Sequence, residues 1–148
     1  MAASEVEVSA SPVSNETGYR SFELGEFGFA RDEYFVYIDQ FLLDHADIAT
    51  GISLGYSHEG REIRGVVINA GGGDKPAVLF NGTQHAREWI SPPTTMYIAD
   101  TLADGYGVDP TITALLNKVE VIVIPVVNPD GYEYTYAPSG ESTITVVS

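Results

Sequence analysis

The chain has 148 residues, enough for one domain; it is 44% hydrophobic and has no cysteine, which excludes disulfides, thiolate metal sites and thiol catalysis. Its formal charge of -14, from 21 acidic and 7 basic residues, argues against nucleic acid or an anionic membrane as a partner. No apolar run approaches the ~18 residues of a transmembrane helix.

Residues 1–18 are expected to form a disordered lead, rich in Ser, Glu and Ala without helical periodicity. They lack the basic and apolar regions of a secretory signal. Residues 19–148 are expected to form one partial domain. From Arg31 the pattern is helical, with Tyr34, Ile38, Phe41, Leu42 and His45 in steps of three and four. Ile52–Ser57 and Ile63–Asn69 read as two strands joined by a bulged turn at Gly60, where a positive φ is cheap. After a glycine-rich loop, Ala77–Phe80 reads as a short buried strand, apolar on both faces. Asn81-Gly82 then favours a turn.

Ser91 is the expected N-cap and Pro92 the first residue of a helix running to Ala103, ended by Gly105 and Gly107. Asp109-Pro110 opens a short helix through Leu116. Val119–Val127, rich in β-branched residues, predicts a central strand covered on both faces. Asn128-Pro129-Asp130-Gly131 predicts a turn, and Thr143–Val147 leans toward strand. The element order predicts an α/β domain: a mixed parallel and antiparallel sheet with helices on both faces.

The chemistry concentrates at the junction after Phe80. His85 and Glu88, spaced H-x-x-E, offer a nitrogen and a carboxylate to one cation. Catalytic zinc commonly takes three such donors and a water, and lowers that water's pKa from ~15.7 toward ~7. The plainer alternative is a pair that meets the dipole of the following helix. Arg87 is a candidate for a substrate carboxylate or carbonyl, or else a surface ion pair worth ~0–1 kcal/mol. His58 is expected in an exposed turn and His45 on a helix face.

Four blocks in order carry a resemblance: Gly55-Tyr56-Ser57-His58-Glu59-Gly60-Arg61-Glu62-Ile63, Gly82-Thr83-Gln84-His85-Ala86-Arg87-Glu88-Trp89-Ile90, Tyr106-Gly107-Val108-Asp109-Pro110, and Asn128-Pro129-Asp130-Gly131-Tyr132. Over about residues 30–136 the chain resembles the zinc metallocarboxypeptidases of the carboxypeptidase A/B type. The second block is the specific one. The resemblance implies a Zn2+ cofactor, with His85 and Glu88 as the first two ligands of a two-His, one-Glu set, and Arg87 in the substrate groove. It implies removal of C-terminal residues from peptides or proteins by zinc-assisted water attack, in a secreted protein.

The same resemblance places a third ligand, a His, and the carboxylate-binding and carbonyl-polarising arginines after the Asn-Pro-Asp-Gly block. The general-base Glu lies later still. No His follows His85 here, and no Lys or Arg follows Lys118. The chain is therefore expected to be the N-terminal portion of a carboxypeptidase-like domain with an incomplete site. A non-catalytic peptide-binding module on the same scaffold is the second hypothesis. A zinc hydrolase of N-acyl amino acids is the third, and the Arg87-Glu88-Trp89-Ile90 context argues against it.

Overall fold

A computed structural model describes residues 31–136; the expected disordered lead and the strand-leaning 143–147 lie outside the described residues. Eight elements follow in order: α1 (Arg31–Asp44), β1 (Ala49–Tyr56), β2 (Glu62–Ile68), β3 (Ala77–Asn81), α2 (Ser91–Gly105), α3 (Pro110–Leu116), β4 (Glu120–Ile124) and α4 (Pro129–Tyr134). They build one four-stranded sheet in the order β1-β2-β4-β3. β1 pairs antiparallel with β2, β2 antiparallel with β4, and β3 parallel with β4. The sheet is thus mixed, as the element order predicted.

Register explains the core. Gly51 stands opposite Val66, Ala49 opposite Ile68, Val66 opposite Val123, and Ile68 opposite Val121, so these residues share one face. Ile38 and Phe41 of α1 and Met96, Ala99 and Ala103 of α2 pack on that face, with Leu116 from α3. Phe41, Met96, Ala99, Val66 and Ile68 are fully buried. Tyr37 of α1 donates to Asp100 of α2, so the two long helices lie side by side. On the opposite face Ile52, Val67 and Ile122 are half-buried and Leu79 is exposed.

Four expectations need correction. β3 is apolar but not buried: Ala77, Val78 and Leu79 are exposed, because among the described residues the strand has a neighbour on one side only. β4 is central, but it ends at Ile124 rather than Val127, since Pro125 has no N–H to continue the ladder. Its cover is complete on one face and partial on the other, with Val121 and Val123 buried and Ile122 half-buried. Ser91 is the first residue of α2, not its cap; Ile90 holds the cap position in αR with no side-chain cap bond. The Asn-Pro-Asp-Gly block is the start of α4, with the Asn128 side chain accepting the N–H of Gly131.

The turn at Gly60 has φ +77°, as expected, and a register irregularity falls between Ser53 and Tyr56, beside Gly55 at φ +98°. Among the described residues no helix is long and apolar enough to cross a membrane.

Candidate metal centre

The loop between β3 and α2 is pinned at its start. Gly82 donates its N–H to the Ile124 carbonyl at 2.9 Å and accepts that of Val127 at 3.1 Å. A Cβ here would run into the Pro125 carbonyl oxygen, so only glycine fits. Thr83 follows at φ +56°, the left-handed region that a β-branched residue rarely enters. It is fully buried; its hydroxyl donates to the Pro125 carbonyl at 3.1 Å, and its N–H donates to Ser91 Oγ at 2.7 Å. These bonds hold the strained residue in place, and the chain leaves the sheet edge in a new direction.

Two short turns then bring the candidate ligands together. Glu88 donates its N–H to the His85 carbonyl at 3.0 Å, and Ser91 donates its N–H at 2.9 Å and its hydroxyl at 2.7 Å to the Glu88 carbonyl. His85 Nδ1 lies 3.0 Å from Glu88 Oε1, with both side chains open to solvent. The hydrogen bond from His85 holds the Glu88 carboxyl below its usual range.

This pair fits zinc as two neighbouring donors of one shell. Zn–N and Zn–O bonds of ~2.0–2.2 Å set tetrahedral neighbours about 3.4 Å apart, a small opening from 3.0 Å. An imidazole nitrogen and a carboxylate oxygen are also donor types that zinc accepts. Among the described residues no group of three His, Cys, Asp or Glu side chains could hold a metal, so the pair gathers no third donor there. Arg87 is exposed and forms no ion pair with another described residue. His58 is exposed in the hairpin turn, as expected. His45 lies just past α1, its ring 4.8 Å from Phe41 and its Nε2 3.5 Å from Asp104.

The structure adds residues that the sequence did not single out. Asp130, in the first turn of α4, accepts from Ser57 Oγ at 2.6 Å, from the Glu59 N–H at 3.0 Å and from Arg61 Nη1 at 2.8 Å. Burial opposes ionisation of Asp130, but these three donors outweigh it and hold the carboxyl below its usual range. Asp130 and Glu59 in turn raise the Arg61 pKa. The network joins the β1–β2 turn to α4, and α4 reaches the ligand loop. Asn128 Nδ2 donates to the Gln84 carbonyl at 3.5 Å, and a Cβ on Gly131 would sit 3.0 Å from that of Ala86. Three of the four blocks that carried the resemblance therefore meet at one place. That co-occurrence was the one available signal for the network.

The loop that follows the parallel strand β3 thus brings one His and one Glu together beside a mixed sheet, and comparisons with known proteins give that fold a family. The family model described as "Zinc carboxypeptidase" matches residues 34–144. A second model, "Hydroquinone 1,2-dioxygenase large subunit N-terminal", matches residues 10–50, too short a stretch to show membership. Rat carboxypeptidase A2 (Rattus norvegicus) is 36% identical over 75% of this chain and 27% of its own length. Metallocarboxypeptidase A of Trichophyton tonsurans is 38% identical over 83% of this chain and 32% of its own. The crystal structure of carboxypeptidase A from Helicoverpa armigera superposes with a TM-score of 0.64 at 30% identity, covering 74% of this chain and 26% of that one. The chain belongs to the zinc carboxypeptidase family. It spans about a quarter to a third of the length of these curated relatives.

Proposed function

We propose that the chain carries the first part of the active site of a zinc-dependent metallocarboxypeptidase, a hydrolase that removes C-terminal residues from peptides and proteins. His85 and Glu88 are two of the zinc ligands, and Arg87 binds substrate. The observation that carries this reading is the 3.0 Å approach of His85 Nδ1 to Glu88 Oε1 inside the family-matched segment. Bound there, zinc supplies a Lewis acid and a water acidic enough to act near neutral pH. His85 would bind as a neutral imidazole and Glu88 as a carboxylate. A carboxyl with an ordinary pKa of ~4.3 is ionised throughout the neutral range, so the second condition is met there. The Arg87 guanidinium, exposed beside the pair, suits a planar carboxylate or a carbonyl oxygen.

The third protein ligand, the carboxylate-binding arginines and the general base belong to a longer protein, in this reading. An extracellular setting is the expectation that goes with this reading. The test is zinc stoichiometry and affinity of the purified chain against His85→Ala. One weakly held zinc, lost in the variant, is the expected result; equal binding by both sinks the ligand assignment. A second reading, a peptide-binding module without turnover, draws on the absence of a third donor among the described residues. It requires cooperative folding of the chain and affinity for peptide C-termini without zinc.

A further inference from the structure

Glu88 is followed by the chain's single tryptophan. The Trp89 indole lies flat on Tyr136, ring centroids 5.2 Å apart and planes 7° from parallel. Its Nε1–H donates to Thr135 Oγ1 at 2.9 Å. Thr135 donates its own hydroxyl proton to the Tyr132 carbonyl at 2.7 Å, which leaves an oxygen lone pair for the indole. Tyr136 meets Tyr132 edge-on at 5.2 Å, with their hydroxyls 2.8 Å apart. Tyr132 is fully buried and meets Tyr34 of α1 edge-on at 6.2 Å. A ladder of rings thus runs from the ligand loop through α4 to α1.

Little of this serves the main core. Trp89 is 36% exposed and belongs to neither buried cluster, while Tyr136 packs on the smaller one formed by Tyr34, Val126 and Tyr132. What the stack fixes is the backbone beside Glu88. That segment is otherwise tied down by the Glu88 N–H to the His85 carbonyl and by the bonds from Ser91. The half-exposed Glu88 side chain meets the His85 ring of its own loop, so its position follows from the loop backbone.

We infer that Trp89 is a positioning residue for Glu88, acting through Tyr136 and Thr135 of the α4 end. As a statement about a metal site, this rests on the reading of Glu88 as a ligand. As a statement about geometry, it does not.

The experiment uses the full chain and two readouts. Zinc affinity is measured by competition with a chelator, with Trp89 emission as reporter. Amide exchange is followed at Glu88 and at the β4 strand without metal. Tyr136→Leu removes the stacking ring, whereas Tyr136→Phe keeps it. The expected result for Tyr136→Leu is a red-shifted emission, zinc binding weaker by about three- to tenfold, and faster exchange at Glu88 with β4 unchanged. Tyr136→Phe stays within about twofold of wild type in both. Thr135→Val, which removes the indole's acceptor but no ring, gives a smaller change in the same direction. It also serves as the test should Tyr136→Leu fail to fold.

Wild-type Glu88 protection and zinc affinity in a variant whose emission shows the stack is gone would overturn the inference and leave the proposed function standing. A wild-type chain that binds no zinc, but whose Glu88 amide loses protection in Tyr136→Leu alone, would support the positioning role and show that the two donors held here do not suffice for zinc.

Discussion

Asp130 shows how a single side chain connects two parts of the fold. Its three donors come from a turn some seventy residues earlier in sequence. Its carboxyl pKa is lowered in the folded state, so the carboxylate stabilises the fold above its unfolded value of ~3.9 and loses that contribution as pH falls through the lower folded value. Asp130→Asn should therefore melt below wild type at pH 6, with the gap narrowing as pH drops below about 4. Thermal melts of both proteins from pH 7 to pH 2 check this. A gap independent of pH would mean that the amide, not the lost charge, is responsible. At this scale the sequence marked His85, Arg87 and Glu88, because a short spacing and residue chemistry are visible in one dimension. Ser57, Arg61 and Asp130 stand in the motif blocks, but their bonds depend on how a hairpin and a helix start are folded together. Thr83 was equally hidden: nothing in its residue type announces φ +56°.

Helix starts obey their local signals only where no tertiary contact claims the capping side chain. Asp109 before Pro110 was a sound signal, and its carboxylate accepts the N–H groups of Thr111 at 2.7 Å and Ile112 at 3.1 Å. Asp109→Ala should lower stability by about 1 kcal/mol, measured by urea unfolding; no change would show that water replaces the cap fully. Ser91 carried the same kind of signal and does something else. Its hydroxyl is drawn to the Glu88 carbonyl and the Thr83 N–H, a tertiary demand that overrides the cap preference. Asn-Pro-Asp-Gly illustrates the converse. Asn128 caps, Pro129 takes the first helical position, and a set of turn-forming residues starts a helix because Tyr132 has a core to enter. The α1 stripe was legible because periodicity reports one buried face. Tyr34, Ile38 and Phe41 are indeed buried.

At the level of the whole molecule, the mixed sheet was legible from the alternation of strands and helices, but the strand order was not. Composition carries no information on which strands pair, and hydrophobicity alone made β3 look buried. Charge acts at this scale too. With a net -14, self-repulsion should make the fold more stable when screened. The melting midpoint should rise between low salt and about 0.5 M sodium chloride. A midpoint that falls would mean that local pairs such as Arg61–Asp130 outweigh the global repulsion.

The sheet order has a consequence in time. β1 and β2 are adjacent in sequence and can pair as soon as both exist, but β2 and β3 are separated in the sheet by β4, the last of the described strands in sequence. Until Glu120–Ile124 has emerged, β3 has no neighbour among the described strands, and Val78 and Leu79 stand on an unpaired ribbon. A single late strand then closes both gaps, joining an antiparallel partner on one side to a parallel one on the other. Loop-closure entropy for the β3–β4 pair is met before any sheet contact rewards it. Among the described strands, β3 is thus exposed to self-association in the interval between the synthesis of Asn81 and that of Ile124.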